Sequence, residues 1–379
     1  MTAALPLRRW RSRVVMPRLR HPDYVLLSTV FTLAGLGVVM VFNASYFPAQ
    51  ERFGDPLFFF HKHLFSIALG AAVMVVLSQM RLEVFERAAV PALGLSFLLL
   101  IAVLIPGIGV VRGGARRWLT LGSFSFQPAE LAKIAVTLYL AHSITRKHER
   151  MRTLVYGVLP HLVVVGACAC LIVLQPDFGT SAILSLTLLA MLFVGGVRPM
   201  HLGALGALFG AAVIAAVAMS PYRLMRFLTF LDPWNDPRGP GFQLVQSFIA
   251  FGSGGVVGNG LGASRQKMFY LPEAHTDFIL PVVGEELGFV GISVVLALFA
   301  VVGIRGFRVA MRHPDPFGSL LAFGITASLM LSAVVNACVV LGLLPTKGLP
   351  MPFLSYGGTA MMFTLAQVGI LASLSRTTG

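Results

Sequence analysis

Long stretches without a charged side chain recur along this chain of 379 residues. The first runs from Tyr24 to Gln50, and its 27 residues exceed the roughly 20 that a helix needs to cross the hydrocarbon core of a membrane. Hydrophobic residues make up 56% of the chain and charged residues 12%, which is about half the charged share of a soluble domain. A single soluble core cannot bury so much apolar surface. The sequence therefore excludes a soluble enzyme and predicts a polytopic membrane protein.

Ten intervals that are nearly free of charge are long enough to cross a membrane, and they predict an all-α fold of ten transmembrane helices. The predicted spans cover residues 24–46, 64–80, 88–108, 128–144, 154–174, 178–196, 201–219, 278–303, 318–343 and 356–374. The uncharged interval 239–264 has eight glycines among its 26 residues, and glycine disfavours a helix. We therefore predict an interfacial helix followed by a loop there, and not an eleventh span.

Lysine and arginine residues collect on the cytoplasmic side of membrane proteins. With ten spans, 17 of the 29 lie on the side of the chain termini, 11 lie on the opposite side, and Lys133 lies within a span. The net charge of +14 therefore indicates cytoplasmic termini and not a nucleic acid partner. The predicted parts are a cytoplasmic tail 1–23, a membrane domain 24–374 with a large outer loop 220–277 between spans 7 and 8, and a cytoplasmic tail 375–379.

The outer loops carry polar and aromatic residues that a bundle in lipid does not need, so we expect the chemistry at the outer face. In the first long outer loop, Arg116 and Arg117 beside Trp118 suit either a phosphate site or an interfacial anchor. Glu130 and Lys133 follow inside a span, three positions apart on one helical face, where they suit an ion pair. Because charges within a span are costly, such a pair more often marks a polar cavity.

Asp277 stands apart from the other carboxylates of the outer loops. It lies where the long loop enters the membrane, next to His275 and Thr276, and partial desolvation there would raise its pKa toward that of a usable general base. A helix N-cap is the alternative, and the sequence alone leaves the two readings even. Glu285 and Glu286 follow in the span, and at least one of them is expected to meet a partner within the bundle.

The remaining polar residues are less specific. Asp177 suits a helix cap at least as well as a functional role, and Asn336 suits an interhelical hydrogen bond better than a ligand contact. Lys347, in the last outer loop, suits a phosphate contact or the interface. No P-loop, HExxH, GxGxxG or Ser-His-Asp pattern with credible spacing is present, so ATPase, metalloprotease and nucleotide oxidoreductase functions have no support.

Five sequence blocks, taken in order, resemble the SEDS family of bacterial peptidoglycan polymerases (shape, elongation, division and sporulation). They are GARRWLTLGSFSFQPAELAK, QPDFGTS, FLDPWNDPRGPGFQLVQS, LPEAHTDFI with GEELGFVG, and LLPTKGLPMPFLSYGG. Within the family, PEAHTD and PTKG are more similar to the division branch, and an elongation polymerase is the alternative.

The resemblance implies a ten-span glycosyltransferase that joins lipid II units into glycan strands at the outer face of the bacterial inner membrane, at the division septum. It implies Asp277 as the catalytic carboxylate and Trp118 as a residue linked to activity, while His275 and Glu273 carry over as neighbours. The expected substrate-binding residues, which include the cations for a leaving diphosphate, are Arg116, Arg117, Trp118, Glu130, Lys133, Arg223, His275 and Lys347. A divalent cation is a further alternative, with no cofactor certain.

The resemblance also implies a class B penicillin-binding protein as partner, a single-span transpeptidase, together with other division proteins and membrane lipid. A lipid II flippase is the competing function, because internal charges such as Glu130, Lys133 and Glu286 suit a translocation pathway. A flippase needs headgroup sites reachable from both sides of the membrane, whereas the polar segments cluster in outer loops. The sequence therefore favours the polymerase.

Overall fold

The computed structural model describes residues 21–122, 124–219, 221–239, 241–267, 271–346 and 348–377. Helices dominate, and their bounds are α1 (Tyr24–Phe53), α2 (Phe58–Ser78), α3 (Leu82–Leu104), α4 (Pro128–Arg146), α5 (Leu159–Leu174), α6 (Phe178–Val194), α7 (Pro199–Ala218), α8 (Pro221–Leu231), α9 (Phe242–Gly254), α10 (Ile279–Arg312), α11 (Pro316–Val340) and α12 (Thr359–Ser375). A 3₁₀ turn, His148–Arg150, and a π-helical turn, Leu154–Val158, precede α5.

Six helical stretches of the described residues are long and apolar enough to cross a membrane. They are α1, α2, α3, the continuous stretch Leu154–Leu174, α10 and α11. Helices α6 and α12 and the stretch Pro199–Ala215 of α7 are apolar but shorter, and α4 carries the charged Glu130 and Lys133. Each of the ten predicted spans overlaps one of these helices. The mainly helical, multi-pass class of the fold is thus confirmed.

Local sequence signals account for the ends of α1. The side chain of Asp23 accepts a hydrogen bond from the N–H of Leu26 at 3.0 Å, which satisfies one of the free donors at the helix start. The helix ends at Gly54, whose φ of 71° is the left-handed conformation that glycine adopts without strain. Asp23 also forms an ion pair of 2.7 Å with Arg305 of α10, so the cap ties two helices together.

The all-α prediction is wrong for the first long outer loop. That loop folds as an antiparallel sheet of β1 (Gly109–Arg112), β2 (Ala115–Leu121) and β3 (Phe124–Phe126), in the order β1-β2-β3. Gly113 and Gly114 have φ of 57° and 77°, the conformation that a two-residue hairpin turn requires. The flanking β-branched and aromatic residues favour strands. The sheet fixes the orientation of the arginines on β2.

The long outer loop contains α8 and α9, and the predicted helix followed by a loop in 239–264 is confirmed as α9 and an irregular segment. This segment inserts into a break in α10 at Gly288, where φ is 66° and ψ is −165°. The carbonyls of Glu285 and Glu286, freed by the break, accept hydrogen bonds at 3.0 Å from the N–H groups of Asn259 and Gly260. Backbone groups that the break would leave unsatisfied are thereby paired.

Candidate active site

The segment that precedes α10 is a tight turn that presents Asp277. The N–H groups of Thr276 and Phe278 donate to the carbonyl of Glu273 at 3.1 and 3.3 Å, and Glu273 has a left-handed φ of 54°. The N-cap of α10 is Phe278, and no side-chain hydrogen bond caps this helix. The alternative reading of Asp277 as a helix cap is therefore wrong.

Asn336 anchors this turn from within the bundle. Its side-chain amide donates hydrogen bonds to the carbonyl of Asp277 at 2.9 Å and to the carbonyl of Leu349 at 2.6 Å. The interhelical hydrogen bond predicted for Asn336 is therefore wrong, because both acceptors lie in loop segments. Asn336 is 1% exposed, so these two bonds form where water does not compete. They hold the turn and the last outer loop in a fixed relationship.

The last outer loop also passes directly beside the carboxylate. At Gly348, a Cβ atom would lie 2.9 Å from Oδ2 of Asp277, which is closer than real Cβ contacts allow. A residue with a side chain would therefore push against Asp277. The N–H of Tyr356, farther along this loop, donates to the carbonyl of His275 at 2.9 Å, so the loop holds the turn at a second point.

The surroundings of Asp277 set its protonation. Burial raises the pKa of its carboxyl to about 7, the nearby Glu273 and Asp177 raise this pKa too, and the Arg117 guanidinium lowers it. A carboxyl group with a pKa near 7 is substantially ionised at neutral pH and is still basic enough to accept a proton. The side chain keeps partial contact with the surface, so a substrate hydroxyl can reach it.

His275 lies in an aromatic cluster beside the turn. Its ring centroid is 4.6 Å from that of Phe59 in α2 and 5.7 Å from that of Tyr356. Burial lowers the pKa of His275 to about 4, with Glu273 raising it and Arg52 lowering it further. The imidazole is therefore neutral at neutral pH, and it supports the turn by packing.

The sheet of the first long outer loop brings one arginine toward Asp277. Arg116 and Arg117 are neighbours on β2, and neighbouring side chains of a strand point to opposite faces. Arg116 Nη1 donates to the carbonyl of Leu104 at the end of α3, at 3.2 Å. Arg117 is the cation that acts on the Asp277 carboxyl. Trp118, opposite Val110 on β1, is partly buried in the same sheet.

The predicted ion pair of Glu130 and Lys133 is confirmed, with Nζ and Oε2 2.9 Å apart. The pair lines a small cavity of about 20 Å³, enough for one water molecule, together with Ser332, Gln367 and the segment 349–353. A polar cavity was the expectation for charges in this span. Leu349, which lines the cavity, accepts a hydrogen bond from Asn336, and the same Asn336 amide binds the carbonyl of Asp277. Asn336 therefore links the cavity wall to the turn that carries Asp277.

Asp177 is confirmed as a helix cap. Its carboxylate accepts hydrogen bonds from the N–H of Thr180 at 3.0 Å and from the Thr180 hydroxyl at 2.9 Å, at the start of α6. Gln127 Nε2 donates to the same carboxylate at 3.1 Å. The Asp177 side chain therefore joins α6 to the residue that precedes α4. Its negative charge also raises the pKa of Asp277.

Two predicted site residues lie beyond the described part of the chain. Lys347 is not among the described residues, and the side chain of Arg223, in α8, is outside them as well. Among the residues that the structure describes, no group of three or more His, Cys, Asp or Glu side chains could hold a metal ion.

A buried polar cluster, which the sequence did not single out as part of the site, holds the irregular segment against the bundle. Lys267 and Glu286 are 3% and 0% exposed, and their charged atoms are 3.0 Å apart. Asn43 of α1 bonds to both side chains. Glu285 accepts hydrogen bonds from the Ser264 hydroxyl and from backbone N–H groups of the same segment. The predicted partner for a glutamate in this span is thus confirmed.

Comparison with known proteins decides the family. The FtsW/RodA/SpoVE family of cell cycle proteins matches this sequence over residues 24–379. The chain belongs to this family. The resemblance to SEDS proteins read from the sequence blocks is therefore confirmed.

Several family members are similar over almost their full length. The probable peptidoglycan glycosyltransferase FtsW of Geobacter sulfurreducens is 44% identical over 353 residues, which cover 93% of this chain and 95% of that protein. The FtsW of Trichlorobacter lovleyi is 45% identical over 358 residues, 94% of each chain. Stage V sporulation protein E of Bacillus subtilis is 39% identical over 355 residues, 94% of this chain and 97% of that protein.

Solved structures of the family share the fold. A chain from a peptidoglycan synthase complex, described for its structural coordination of polymerization and crosslinking, matches with a TM-score of 0.76 at 31% identity, over 94% of this chain and 98% of that chain. The rod shape determining protein RodA of Thermus thermophilus matches with a TM-score of 0.69 at 27% identity, over 94% and 97%.

Proposed function

We propose that this chain is a peptidoglycan glycosyltransferase that joins lipid II disaccharide units into glycan strands during cell division. The observation that carries the proposal is the Asp277 carboxyl, which is partly exposed, has a pKa of about 7 and is held by Asn336 near Arg117. Relatives named peptidoglycan glycosyltransferase FtsW, 44% and 45% identical, support the activity. Their names also favour the division branch over the elongation branch.

Ten helices cross the bacterial inner membrane in this proposal, namely α1 to α7 and α10 to α12. Residues 24–374 form the membrane domain, and the tails 1–23 and 375–379 are cytoplasmic. The supporting observation is that 17 of the 29 basic residues fall on the side of the termini. Asp277, the sheet and the loop 220–277 with α8 and α9 then lie at the outer face, where lipid II is polymerised.

Asp277 acts as the general base of one inverting displacement. The donor sugar is α-linked to undecaprenyl diphosphate and the product linkage is β. An Oδ atom of Asp277 accepts the proton of the acceptor 4-hydroxyl while that oxygen bonds to the anomeric carbon of the donor. The bond between the anomeric carbon and the diphosphate oxygen breaks, and its electron pair leaves with the diphosphate.

The leaving diphosphate needs positive charge as the bond breaks. Arg117 is the first candidate, because its guanidinium acts on the Asp277 carboxyl and therefore lies near the reacting atoms. Lys133 borders the cavity beside segment 349–353, with Glu130 as its partner. The further candidates are Arg116, Arg223 and Lys347. Trp118 and His275 border the same region as supports.

The partner in this proposal is a class B penicillin-binding protein, which crosslinks the strands, together with other division proteins at the septum. The structural match to a chain of a peptidoglycan synthase complex that coordinates polymerization and crosslinking supports such a pairing. The enzyme would then pass its glycan product directly to a transpeptidase at the outer face of the inner membrane.

A vesicle assay separates the polymerase from the flippase. The purified protein and its transpeptidase are reconstituted with labelled lipid II, and the products are resolved by glycan length on a gel while label at each face is measured. A polymerase yields a ladder of glycan strands on the gel. The control variant Asp232→Asn, which changes an exposed carboxylate of the same outer loop, should leave that ladder unchanged. Transport of label without any strands would instead identify a flippase.

A further inference from the structure

A second cavity, of about 270 Å³, lies beside the turn that carries Asp277. Helices α8 and α9 form one side of it, and the segments that contain Pro272 and Thr346 form the other. The side chains of Met225 and Arg226 at its edge are exposed, so the cavity opens to the surface. None of the steps assigned above to Asp277 and its surroundings uses this cavity.

The cavity is close enough to Asp277 for one substrate molecule to reach both. Pro272 lies five residues before Asp277, and Thr346 lies two residues before Gly348. A Cβ at Gly348 would be 2.9 Å from Oδ2 of Asp277. Two residues of chain span at most about 7 Å, which places the backbone of Thr346 within about 11 Å of the carboxylate.

The lining favours an anion. Arg226 contributes a guanidinium, which suits carboxylates and phosphates, and none of the described lining residues is acidic. Gln243 adds an amide whose Nε2 donates to the carbonyl of Pro272 at 3.3 Å. Two carboxylates lie close to the lining without belonging to it. Asp236 Oδ1 accepts from the N–H of the lining residue Gly239 at 2.9 Å, and Glu273 Oε2 accepts from the Thr276 hydroxyl at 3.0 Å.

The size of the cavity fits one arm of a substrate. Pockets that enclose a whole drug-sized ligand measure roughly 300 to 1,000 Å³, and this cavity is smaller. Lipid II carries anionic groups in two places, its diphosphate and the carboxylates of its peptide. Either group offers the oxygen atoms that a guanidinium binds.

The face of α8 on which Arg226 lies favours the peptide. Leu224 and Leu228 share one face of the helix and are 41% and 56% exposed, whereas Arg226 lies two positions from each, on the opposite face. A helix of this kind turns its apolar face to lipid and its basic face to water. The diphosphate is bonded to the lipid tail at the membrane surface, whereas the peptide extends into water.

We propose that this cavity binds a carboxylate of the peptide arm of lipid II, with Arg226 as the charged contact and Gln243 beside it. The inference rests on the proposed function, since it concerns the same substrate. It assigns recognition of the peptide to a place apart from the reacting sugars. Affinity for the substrate then depends on the peptide charge, while the chemistry depends on Asp277.

The test measures KM for glycan synthesis by the complex with its transpeptidase, on lipid II with its native peptide and on lipid II whose peptide carboxylates are amidated. Arg226→Gln should raise KM about tenfold on the native substrate, the loss of one charge-assisted hydrogen bond. On the amidated substrate, wild type and Arg226→Gln should have the same KM. Arg238→Gln, an exposed arginine of the same loop, is the matched control and should behave as wild type throughout.

Two outcomes would overturn the inference. An unchanged KM for Arg226→Gln on native lipid II would show that the cavity binds no substrate charge. An equal rise in KM on both substrates would assign Arg226 to the diphosphate and not to the peptide. Failure of the proposed function looks different, because wild type would then make no glycan from either substrate.

Discussion

The side-chain amide of Asn336 donates a 2.9 Å hydrogen bond to the main-chain carbonyl of Asp277. The same Nδ2 atom binds the carbonyl of Leu349, so one buried residue in α11 holds two outer segments in register. A buried polar group is costly unless it is hydrogen-bonded, and here its bonds fix the position of the candidate base. The position of the turn that carries Asp277 thus depends on a residue inside the bundle.

Asn336→Leu is expected to lower the rate of glycan synthesis at least tenfold. Leucine has a similar volume but donates no hydrogen bond, and the two carbonyls then lose a partner that is worth roughly 1–3 kcal/mol. The rate is measured at saturating lipid II, so that a change of binding does not contribute. Thr326→Val, earlier on α11, removes only a bond to the carbonyl of Ala322 and should retain activity. Equal rates for Asn336→Leu and wild type would contradict the anchoring role.

Glycan synthesis is expected to rise with pH through about 7. Because burial raises the pKa of Asp277 to about 7, the carboxyl is protonated below that pH and cannot accept a proton from the acceptor. The value of kcat/KM should fall about tenfold for each pH unit below the midpoint and level off above it. A flat profile from about pH 5 to about pH 8 would contradict Asp277 as a base with a raised pKa.

The charged neighbours of Asp277 should move this midpoint in opposite directions. Glu273 raises the pKa of Asp277 and Arg117 lowers it. Glu273→Gln should therefore shift the acidic limb of the profile to lower pH, and Arg117→Gln should shift it to higher pH. Glu51→Gln, an exposed carboxylate of α1, is the control. Shifts in the same direction for both variants would contradict the electrostatic account.

Lys267→Met is expected to destabilise the protein by roughly 3–5 kcal/mol, because Glu286 is then left as a buried charge without its partner. The double variant Lys267→Met with Glu286→Gln should recover much of this loss, since no buried charge remains. Thermal unfolding in detergent measures both effects. Lys62→Met, an exposed lysine of α2, should change stability little. A double variant less stable than Lys267→Met alone would contradict the buried-pair explanation.

The sequence predicted the helices well because a charge-free interval of about 20 residues has few alternatives in a membrane. It also predicted the pairing of Glu130 with Lys133, which depends only on their spacing along one helix. The sequence analysis did not predict the sheet, because short strands joined by Gly113 and Gly114 resemble a loop in composition. To predict the sheet, the alternating side chains of β2 would have had to be taken as a strand pattern despite the two arginines among them.

The candidate site could be predicted only in part. Asp277 was singled out by its place at the membrane entrance, but its anchor, Asn336, lies 59 residues farther along the chain. Nothing local pairs those two residues, and only the packing of α11 against the last outer loop brings them together. The contact between Gly348 and Asp277 depends on tertiary structure in the same way. The one signal of this anchor in the sequence was a polar asparagine within an otherwise apolar span.

The most direct test of Asp277 as the general base is the rate of strand formation by Asp277→Asn, in complex with the transpeptidase and supplied with lipid II. Asparagine keeps the size of the side chain but cannot accept the proton, so the account predicts a loss of roughly 100- to 10,000-fold. Unchanged thermal stability and retained binding to the transpeptidase would show that the variant is folded. Strands formed at the wild-type rate by this folded variant would contradict the assignment.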